Sequence, residues 1–147
     1  MGLVDDIDLR LIDLLKNDGR RSYADMANEV SMSLPAVKRR VDRLQSLGVI
    51  TGFTARIDYA KLGWGIEAFV ELRYTGNTRP PQIEQLATDM PEVLAVYSVA
   101  GDPDALCHVR VGDVEHLRKV IDTIRSSSGV TGTKTLVSLG KSDDKRT

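Results

Sequence analysis

The sequence predicts an α+β protein made of two small domains, the first helical and the second an alternation of strands and helices. Three observations predict this class. Apolar residues recur at helical spacing between residues 5 and 47, the period falls to two after Gly48, and strand-like and helix-like segments alternate from residue 66 onward. Residues 59–65 hold two glycines and little periodicity, so we expect a hinge there.

The N-terminal part predicts three helices that follow one another closely. The first covers about residues 5–17 and begins with two acidic residues, which suit a helix N-terminus. Ser22 precedes an aspartate by three residues, as in a capping box, and starts a short second helix. Ser33 caps the third helix, which carries a proline in its first turn and runs to about Leu47, with Gly48 as its left-handed C-terminal cap. Two short helices joined by a tight turn, at about residues 24–43, predict a helix-turn-helix.

The rest of the chain predicts mainly strands. Residues 49–58 alternate around a central glycine and predict a small β-hairpin, the wing of a winged helix-turn-helix. The second half predicts the order β-α-β-β-α-β of a ferredoxin-like sandwich, a four-stranded antiparallel sheet with two helices on one face. The predicted strands are residues 66–74, 93–100, 105–111 and 133–139, and the predicted helices run from Pro80 to about Met90 and onward from Asp113. The expected domains are residues 1–58 (winged helix-turn-helix), 59–65 (hinge), 66–140 (ferredoxin-like domain) and 141–147 (flexible tail).

Composition and charge exclude several classes of protein. Hydrophobic residues make up 41% of the chain and charged residues 28%, which excludes a disordered chain. No apolar run approaches the roughly 20 residues of a membrane span, and no secretory signal pattern precedes the first helix, so we expect a cytoplasmic protein. The single cysteine, Cys107, excludes an internal disulfide and a cysteine-only zinc site, and its apolar surroundings predict a buried, unreactive thiol.

A cationic patch lies on the third predicted helix. The whole chain has a net charge of −1, but the stretch from Ser31 to Leu47 holds four cations and one anion, a local excess of +3. A nucleic-acid role must therefore rest on this patch. A helical wheel separates an apolar stripe from an opposite arc. The stripe contains Leu34, Val37, Val41 and Leu44, and the arc contains Pro35, Lys38, Arg39, Asp42 and Ser46.

The wheel divides the four cations into two pairs. Lys38 and Arg39 lie near the helix N-terminus and are expected to reach base edges together with the residues of the first turn. Arg40 and Arg43 lie on the flank, where they suit DNA phosphates or an internal ion pair with a carboxylate. Ser22 is expected to add a phosphate contact at the start of the second helix. The alternative is a cationic face that is merely solvated. The candidate DNA-binding residues are Ser22, Ser33, Leu34, Pro35, Lys38, Arg39, Arg40 and Arg43.

Four stretches resemble the Lrp/AsnC family of bacterial and archaeal transcription regulators, the feast/famine proteins. They are D-D-I-D-L-R-L-I-D-L-L, D-G-R-R-S-Y-A-D-M-A, S-L-P-A-V-K-R-R-V-D-R-L-Q-S-L-G-V-I-T-G-F and V-Y-S-V-A-G-D-P-D-A-L. The resemblance covers nearly the whole chain. It implies a winged helix-turn-helix that binds double-stranded DNA, a hinge, and a ferredoxin-like domain that mediates dimerisation, assembly to octamers and amino-acid binding. One departure is Ser31, at a turn position that such motifs often fill with glycine.

The resemblance also implies an effector site at the turn between the second and third strands. The family commonly has Gly-Asp-Tyr-Asp there, whereas this chain has G-D-P-D at residues 101–104, which loses an aromatic ring and stiffens the loop. In the family the effector lies near this turn, in a crevice between dimers. The resemblance therefore implies that the turn residues bind the effector's amino and carboxylate groups, and that two threonines of the last strand face the same crevice. The alternative is that G-D-P-D is only a good turn. The candidate effector-binding residues are Gly101, Asp102, Asp104, Thr133 and Thr135.

These observations predict a DNA-binding transcriptional regulator of amino-acid metabolism genes, controlled by an amino acid or related metabolite. We expect no catalytic activity, no metal and no cofactor, because His108 and His116 have no second ligand at metal spacing and belong to no apparent catalytic triad. Two alternatives remain. One is an enzyme of the same architecture, similar to the sirohaem decarboxylases, and the other is a metabolite-binding module without DNA binding. The cationic helix face is not needed by either.

Overall fold

The computed structural model describes residues 3–76, 85 and 89–140, and the chain divides between Arg56 and Ile57 into two compact units. The described N-terminal unit contains α1 (Asp6–Asn17), α2 (Tyr23–Glu29) and α3 (Leu34–Ser46). The C-terminal unit contains a 3-10 turn (Tyr59–Leu62), β1 (Ile66–Tyr74), β2 (Val93–Ser98), β3 (Ala105–Val111), α4 (Val114–Arg125) and β4 (Val130–Val137). The predicted α+β class is confirmed. Helices in the described ranges are all too short or too polar to cross a bilayer.

Side-chain caps begin the three N-terminal helices where the sequence predicts their starts. Asp5 caps α1 in a reciprocal box with Asp8: the Asp8 N–H donates to Asp5 Oδ1 at 2.8 Å, and the Asp5 N–H donates to Asp8 Oδ2 at 3.1 Å. Ser22 and Ser33 each accept the amide of the residue three positions on, at 3.1 and 3.4 Å. Each cap satisfies an amide that has no partner within its own helix.

One apolar cluster holds the N-terminal helices together. Leu11 of α1, Met26 of α2, and Val37 and Val41 of α3 are fully buried in it. Each such side chain contributes about 1.5–3 kcal/mol through removal of apolar surface from water. The apolar stripe that the wheel assigns to α3 is therefore the face that packs against α1 and α2.

The backbone enters the left-handed region on both sides of α3. Ser31, in the turn between α2 and α3, has a φ of 53°, and Gly48, after α3, has a φ of 70°. Gly48 has no Cβ to clash there and confirms the predicted C-terminal cap. The side chain of Ser31 costs about 1 kcal/mol in this region. Serine in place of glycine therefore leaves the turn conformation unchanged but strains it.

The predicted wing is absent as a hairpin, because residues 49–58 form no strand. The amides of Val49 and Ile50 both donate to the carbonyl of Leu44, at 2.9 and 3.1 Å, so the start of this segment wraps back over the end of α3. Residues 51–58 are exposed throughout. Ile50 packs against the apolar cluster of the helices, but an alternating pattern makes a hairpin only when a second strand pairs with it, and no strand of this unit does so.

The C-terminal unit is built on an antiparallel sheet in the order β2-β3-β1-β4, as predicted. β2 ends at Ser98, two residues before its predicted end, and β4 begins at Val130, three residues before its predicted start. The helix predicted from Pro80 to about Met90 lies largely outside the described residues, of which Gln85 and Asp89 are helical.

The two faces of the sheet differ in character. α4 covers one face, where alternate residues of β1 and β3 are buried with Leu117, Val120 and Ile124 of the helix. Phe69 of β1 and Leu136 of β4 belong to the other face, which we call the open face of the sheet. On the covered face the strand residues are Ala68, Val70, Leu72, Ala105, Cys107, Val109 and Val111.

Residues 59–65, predicted as a hinge, are anchored to the C-terminal unit. The guanidinium of Arg110 lies 3.9 Å from the ring centroid of Tyr59, and the ring of Trp64 meets that of His116 edge-on with centroids 5.7 Å apart. Aromatic contacts of this kind each contribute about 0.5–1.5 kcal/mol. These contacts tie the start of the unit to β3 and α4.

Candidate DNA-binding face and effector site

The outer face of α3 presents two cations without partners in the described part of the chain. Lys38 and Arg39 are exposed, and neither side chain makes a hydrogen bond or ion pair with another described residue. Val37, Val41 and Leu44 on the other side of α3 are fully buried. The predicted separation of a core stripe from an exposed cationic arc is confirmed.

The first turn of α3 continues this exposed face. Leu34 is 45% exposed, so the structure assigns it to the outer face and not to the core stripe that the wheel also gave it. Ser33 and Pro35 are exposed beside it. The Ser33 oxygen accepts an amide at the helix start, which leaves its O–H free to donate outward. Ser22 has the same geometry at the start of α2.

Arg40 and Arg43 are engaged in an internal network with carboxylates of α1, the second of the two arrangements expected for them. Arg40 Nη1 lies 2.7 Å from Asp5 Oδ2 and 2.8 Å from Asp8 Oδ1, and Arg43 Nη2 lies 2.5 Å from Asp8 Oδ2. Arg43 Nη1 also donates to the carbonyl of Leu3 at 3.3 Å. We call Asp5, Asp8, Arg40 and Arg43 the Asp–Arg cluster.

Asp8 is a functional candidate that the sequence analysis missed. Its side chain is completely buried, which is rare for an aspartate unless it is paired. A signal exists in the sequence, because Asp8 precedes Leu11 and Leu15 by three and seven residues and so shares the apolar face of α1. Its partners, 32 and 35 residues away, carry no sequence signal of the pairing.

The cluster lowers the pKa values of its carboxyl groups. Burial alone would raise the pKa of Asp8, but hydrogen bonds from Arg40 and from the Asp5 amide outweigh it, so the pKa lies below the ordinary value of 3.8. The pKa of Asp5 is lowered by the hydrogen bond from the Asp8 amide and by Arg40. Hydrogen bonds to Asp5 and Asp8 raise the pKa of Arg40. These three groups are therefore charged at neutral pH.

The G-D-P-D turn is fastened to the end of β1. The Asp104 carboxylate accepts the amide of Tyr74 at 2.9 Å, and the Asp104 amide donates to the carbonyl of Leu72 at 3.0 Å. Asp102 forms a two-bond ion pair with Arg73, which holds the pKa of its carboxyl below the ordinary value. Arg73 was not predicted, because 29 residues separate it from Asp102 and only the β1–β3 pairing brings them together.

A cavity of about 480 Å³ lies beside this turn on the open face of the sheet. Its floor is mostly apolar, from Phe69, Leu106 and Leu136, and Glu71 adds one carboxylate. Residues 99–103 form its rim, so the predicted residues Gly101 and Asp102 line it. The arrangement offers an apolar recess next to a charged edge, which suits a small molecule with both characters.

Thr133 and Thr135 do not face this cavity. Directly opposed residues of antiparallel strands point to the same face of a sheet, and these threonines lie opposite Leu72 and Val70, which are core residues. Thr133 also accepts a hydrogen bond from Arg125 Nε, at the end of α4, at 2.7 Å. The alternation of β4 places both threonines on the face that α4 covers, away from this cavity, and their role in effector binding stays a prediction.

The two histidines serve the packing of the C-terminal unit. His108 Nε2 lies 3.1 Å from Glu67, and its ring stacks on Phe69 with centroids 4.7 Å apart. His116 Nε2 lies 2.9 Å from Glu92. In residues 3–76, 85 and 89–140, no group of three or more His, Cys, Asp or Glu side chains is placed to hold a metal ion.

Comparison with known proteins places this geometry in a family. The model of the AsnC-type helix-turn-helix domain matches residues 4–45, and the model of the Lrp/AsnC ligand binding domain matches residues 67–147. The chain belongs to the Lrp/AsnC family. Lrp/AsnC proteins named as transcriptional regulators include Rv2324 of Mycobacterium tuberculosis, which is 39% identical over 145 residues that cover 99% of this chain and 98% of the relative. AldR of Mycolicibacterium smegmatis is 36% identical, over 90% of this chain and 79% of AldR.

Solved Lrp/AsnC structures share the fold over nearly the full length. The feast or famine regulatory protein Rv3291c of M. tuberculosis, complexed with L-methionine, superposes with a TM-score of 0.89 at 32% identity, over 97% of both chains. The present protein is a helix-turn-helix transcriptional regulator with a C-terminal ligand-binding domain. The names of the family and of these relatives describe regulators and not enzymes.

Proposed function

We propose that this regulator binds a specific DNA site in the cytoplasm as a homodimer, through the outer face of α3, and controls genes of amino-acid metabolism in response to an amino acid. The observation that carries the DNA-binding part is the pair of exposed cations, Lys38 and Arg39, beside the capped first turn of α3. Side chains at the start of a recognition helix reach base edges in the major groove. Ser33, Leu34 and Pro35 complete this surface.

The DNA-binding face is tested by removing one charge at a time. Lys38→Gln and Arg39→Gln should each weaken binding to a duplex selected by the wild-type protein from a random-sequence library, by tenfold or more, since a base contact contributes about 1–3 kcal/mol. Lys16→Gln is the matched control, because Lys16 is exposed on α1 and loses the same charge. Electrophoretic mobility shift at fixed salt gives the affinities. Equal, unchanged affinities in all three variants would exclude this face.

The effector part of the proposal is supported by the turn and the cavity beside it. Asp102 lines the cavity and supplies a carboxylate for an ammonium group, its partner Arg73 and the turn amides can hold a carboxylate, and the apolar lining accepts an apolar side chain. Asp104 does not line the cavity; its carboxylate accepts the Tyr74 amide, and it is a candidate through its place in the turn. The relative Rv3291c was solved with L-methionine. We therefore propose an apolar α-amino acid as the effector, bound at Gly101, Asp102 and Asp104. Thr133 and Thr135 are left out because they point under α4.

A thermal-shift screen against the twenty amino acids tests the effector, because a ligand that binds only the folded protein raises its melting temperature. Asp104→Asn is the matched variant: the amide oxygen can still accept the Tyr74 N–H, but the charge is lost. We expect this variant to bind DNA as the wild type does and to lose the shift caused by the amino acid. A shift retained in full would place the effector elsewhere.

Homodimer formation is supported by the open face of the sheet. Its apolar residues include Tyr97, which is 52% exposed, and Leu136, which is 46% exposed. Two such faces can cover one another and enclose the cavity beside the turn between them, and the ion pairs of Glu67 with Arg110 and of Lys134 with Glu71 lie on the same face. We propose further assembly of dimers to an octamer, which the family resemblance implies.

A further inference from the structure

The Asp–Arg cluster joins the start of α1 to the flank of α3 through a single buried carboxylate. The two oxygens of Asp8 serve different arginines: Oδ1 accepts from Arg40 at 2.8 Å and Oδ2 accepts from Arg43 at 2.5 Å. Asp5 adds a second bond to Arg40. Two carboxylates and two guanidiniums cancel in charge. Lys38 and Arg39 are therefore the cations of α3 whose charge no carboxylate of α1 balances, and the exposed Asp42 of α3 offsets one of them.

The geometry of the cluster also fixes the rotation of α3 about its own axis. Arg40 and Arg43 are three residues apart and occupy one flank of the helix. Because one carboxylate bonds to both, a rotation that relaxes one bond stretches the other. The contacts of Val37 and Val41 hold α3 against the core but are not directional, whereas hydrogen bonds are. The apolar stripe sets which side of α3 faces inward, and the bonds of Asp8 add a directional constraint on the same rotation.

We propose that Asp8 is a positioning residue for DNA recognition: it withholds Arg40 and Arg43 from DNA phosphates and holds α3 with Lys38 and Arg39 outward. The inference rests on the proposed DNA-binding face of α3. Phosphate contacts carry affinity for any sequence, and base contacts carry specificity. By keeping two guanidiniums off the phosphates, Asp8 raises the ratio of specific to non-specific DNA affinity without touching DNA.

The first experiment compares two arginines of α3, of which Arg43 is bonded to Asp8 and Arg39 is bonded to no other described residue. Arg39→Gln and Arg43→Gln remove the same charge, and both side chains are at least partly exposed, so both variants should fold. The readout is the slope of log K against log salt for binding to poly(dI-dC), which counts neutralised phosphates. Poly(dI-dC) is not the selected site, so on it the exposed guanidinium of Arg39 pairs with phosphate instead of a base edge. Arg39→Gln should therefore reduce the slope by about 0.9, and Arg43→Gln should leave the slope unchanged.

The outcomes of this comparison separate the proposal from its premise. A slope that falls equally in both variants shows that Arg43 contacts phosphate and overturns the withholding of the arginines. A slope that falls only for Arg43→Gln overturns it as well. If neither slope moves while Lys38→Gln and Arg39→Gln also leave specific binding unchanged, the DNA-binding face itself is wrong, and the inference fails with it.

The second experiment releases the arginines. Asp8→Asn keeps the shape of the side chain and removes its charge, while Asp5 still pairs with Arg40. The slope on poly(dI-dC) should therefore steepen by about 0.9 per protomer, because the guanidinium left unbalanced can neutralise one phosphate. Affinity for poly(dI-dC) should rise while affinity for the selected duplex falls, so that their ratio drops by tenfold or more. A residue with a purely structural role would lower both affinities together and leave the slope unchanged, and that result would overturn the proposal.

A rescue variant completes the design. Asp8→Asn combined with Arg40→Gln and Arg43→Gln removes the freed cations, and the salt slope should return to the wild-type value. A slope that stays steep would show that other residues neutralise the additional phosphates, which contradicts the proposal. Circular dichroism establishes that each variant is folded at the assay temperature. If Asp8→Asn does not fold, the comparison of Arg39→Gln with Arg43→Gln decides the matter.

Discussion

Leu136 of β4 lies directly opposite Phe69 of β1, and both side chains stand on the open face of the sheet. Leu106 of β3 adjoins them, and Tyr97 of β2 lies opposite Leu106 in the next strand pair. Exposed apolar surface on a sheet is unfavourable in water unless something covers it. A second copy of the same face is complementary in shape and character, as two-fold symmetric dimers require.

The first prediction is that Leu136→Asp abolishes the homodimer. A carboxylate placed among the apolar side chains of a covered face carries a large desolvation cost, so self-association should weaken at least tenfold. Val114→Asp is the control, because Val114 is 73% exposed in the first turn of α4, where an acidic side chain suits the helix N-terminus. Size-exclusion chromatography with light scattering gives the masses. A Leu136→Asp protein with the mass of the wild type would show that another surface mediates assembly.

The second prediction concerns the strained turn before α3. Ser31→Gly should raise the free energy of unfolding by about 0.5 kcal/mol, because loss of the Cβ relieves about 1 kcal/mol of strain at φ 53° and the added freedom of the unfolded chain offsets part of it. Ser31→Val should lower it by about 1 kcal/mol or more, since branched side chains fit this region poorly. Urea unfolding followed by circular dichroism measures both. The strain account is wrong if the glycine variant is less stable than the valine variant.

Local chemistry made much of this structure predictable, and long-range pairing did not. The cap at Ser33 and the left-handed Gly48 follow from residue types a few positions apart, so their places were predicted correctly. The burial of Asp8 depends on arginines more than thirty residues away and has no local signature beyond its position on the apolar face of α1.

Two features of this chain cannot be predicted from the alternating period of a strand alone. The alternation at residues 49–58 is typical of a hairpin, but alternation specifies a strand only where a partner strand and a core are at hand. In β4, the face of Thr133 and Thr135 is set by register, and a shift of one residue reverses every side chain. Residue types alone determine neither the partner of the first segment nor the register of the second.

The third prediction is that Cys107 is unreactive in the folded protein. The thiol is fully buried on the covered face of the sheet, and burial raises its pKa from 9.0 to about 11. Since only the thiolate reacts, its fraction at pH 8 falls about a hundredfold, and burial slows access further. Labelling with Ellman's reagent should be slow in buffer and fast in urea. Fast stoichiometric labelling of the native protein would contradict this packing.

The raised pKa of Cys107 also predicts that the stability of the folded protein falls at alkaline pH. The folded state keeps the thiol protonated to higher pH than the unfolded state does, so the contribution of Cys107 is complete below pH 9 and falls as the pH rises towards 11. Cys107→Ala should remove this part of the alkaline loss of stability. It should also lower stability at pH 7 by about 1 kcal/mol, because a small cavity replaces the sulfur.

The last prediction concerns the stability of the protein at low pH. The folded-state pKa of Asp8 lies below 3.8, so its contribution to stability is present above the unfolded value and is lost as the pH falls through the lower folded value. The melting temperature of the wild type should therefore decline steeply below about pH 4. Asp8→Asn should lower the free energy of unfolding by about 2 kcal/mol at pH 7, through loss of charged hydrogen bonds, and should show a shallower decline in acid.

Asp13→Asn is the matched control for this acid profile. Asp13 is exposed on the same helix and loses the same charge without belonging to the Asp–Arg cluster. Its profile should follow that of the wild type from pH 7 to pH 3, within experimental error. If the stabilities of Asp8→Asn and Asp13→Asn decline in parallel as the pH falls, protonation of the buried Asp8 is not what destabilises the N-terminal unit. The attachment of α3 to α1 would then depend on the apolar cluster alone.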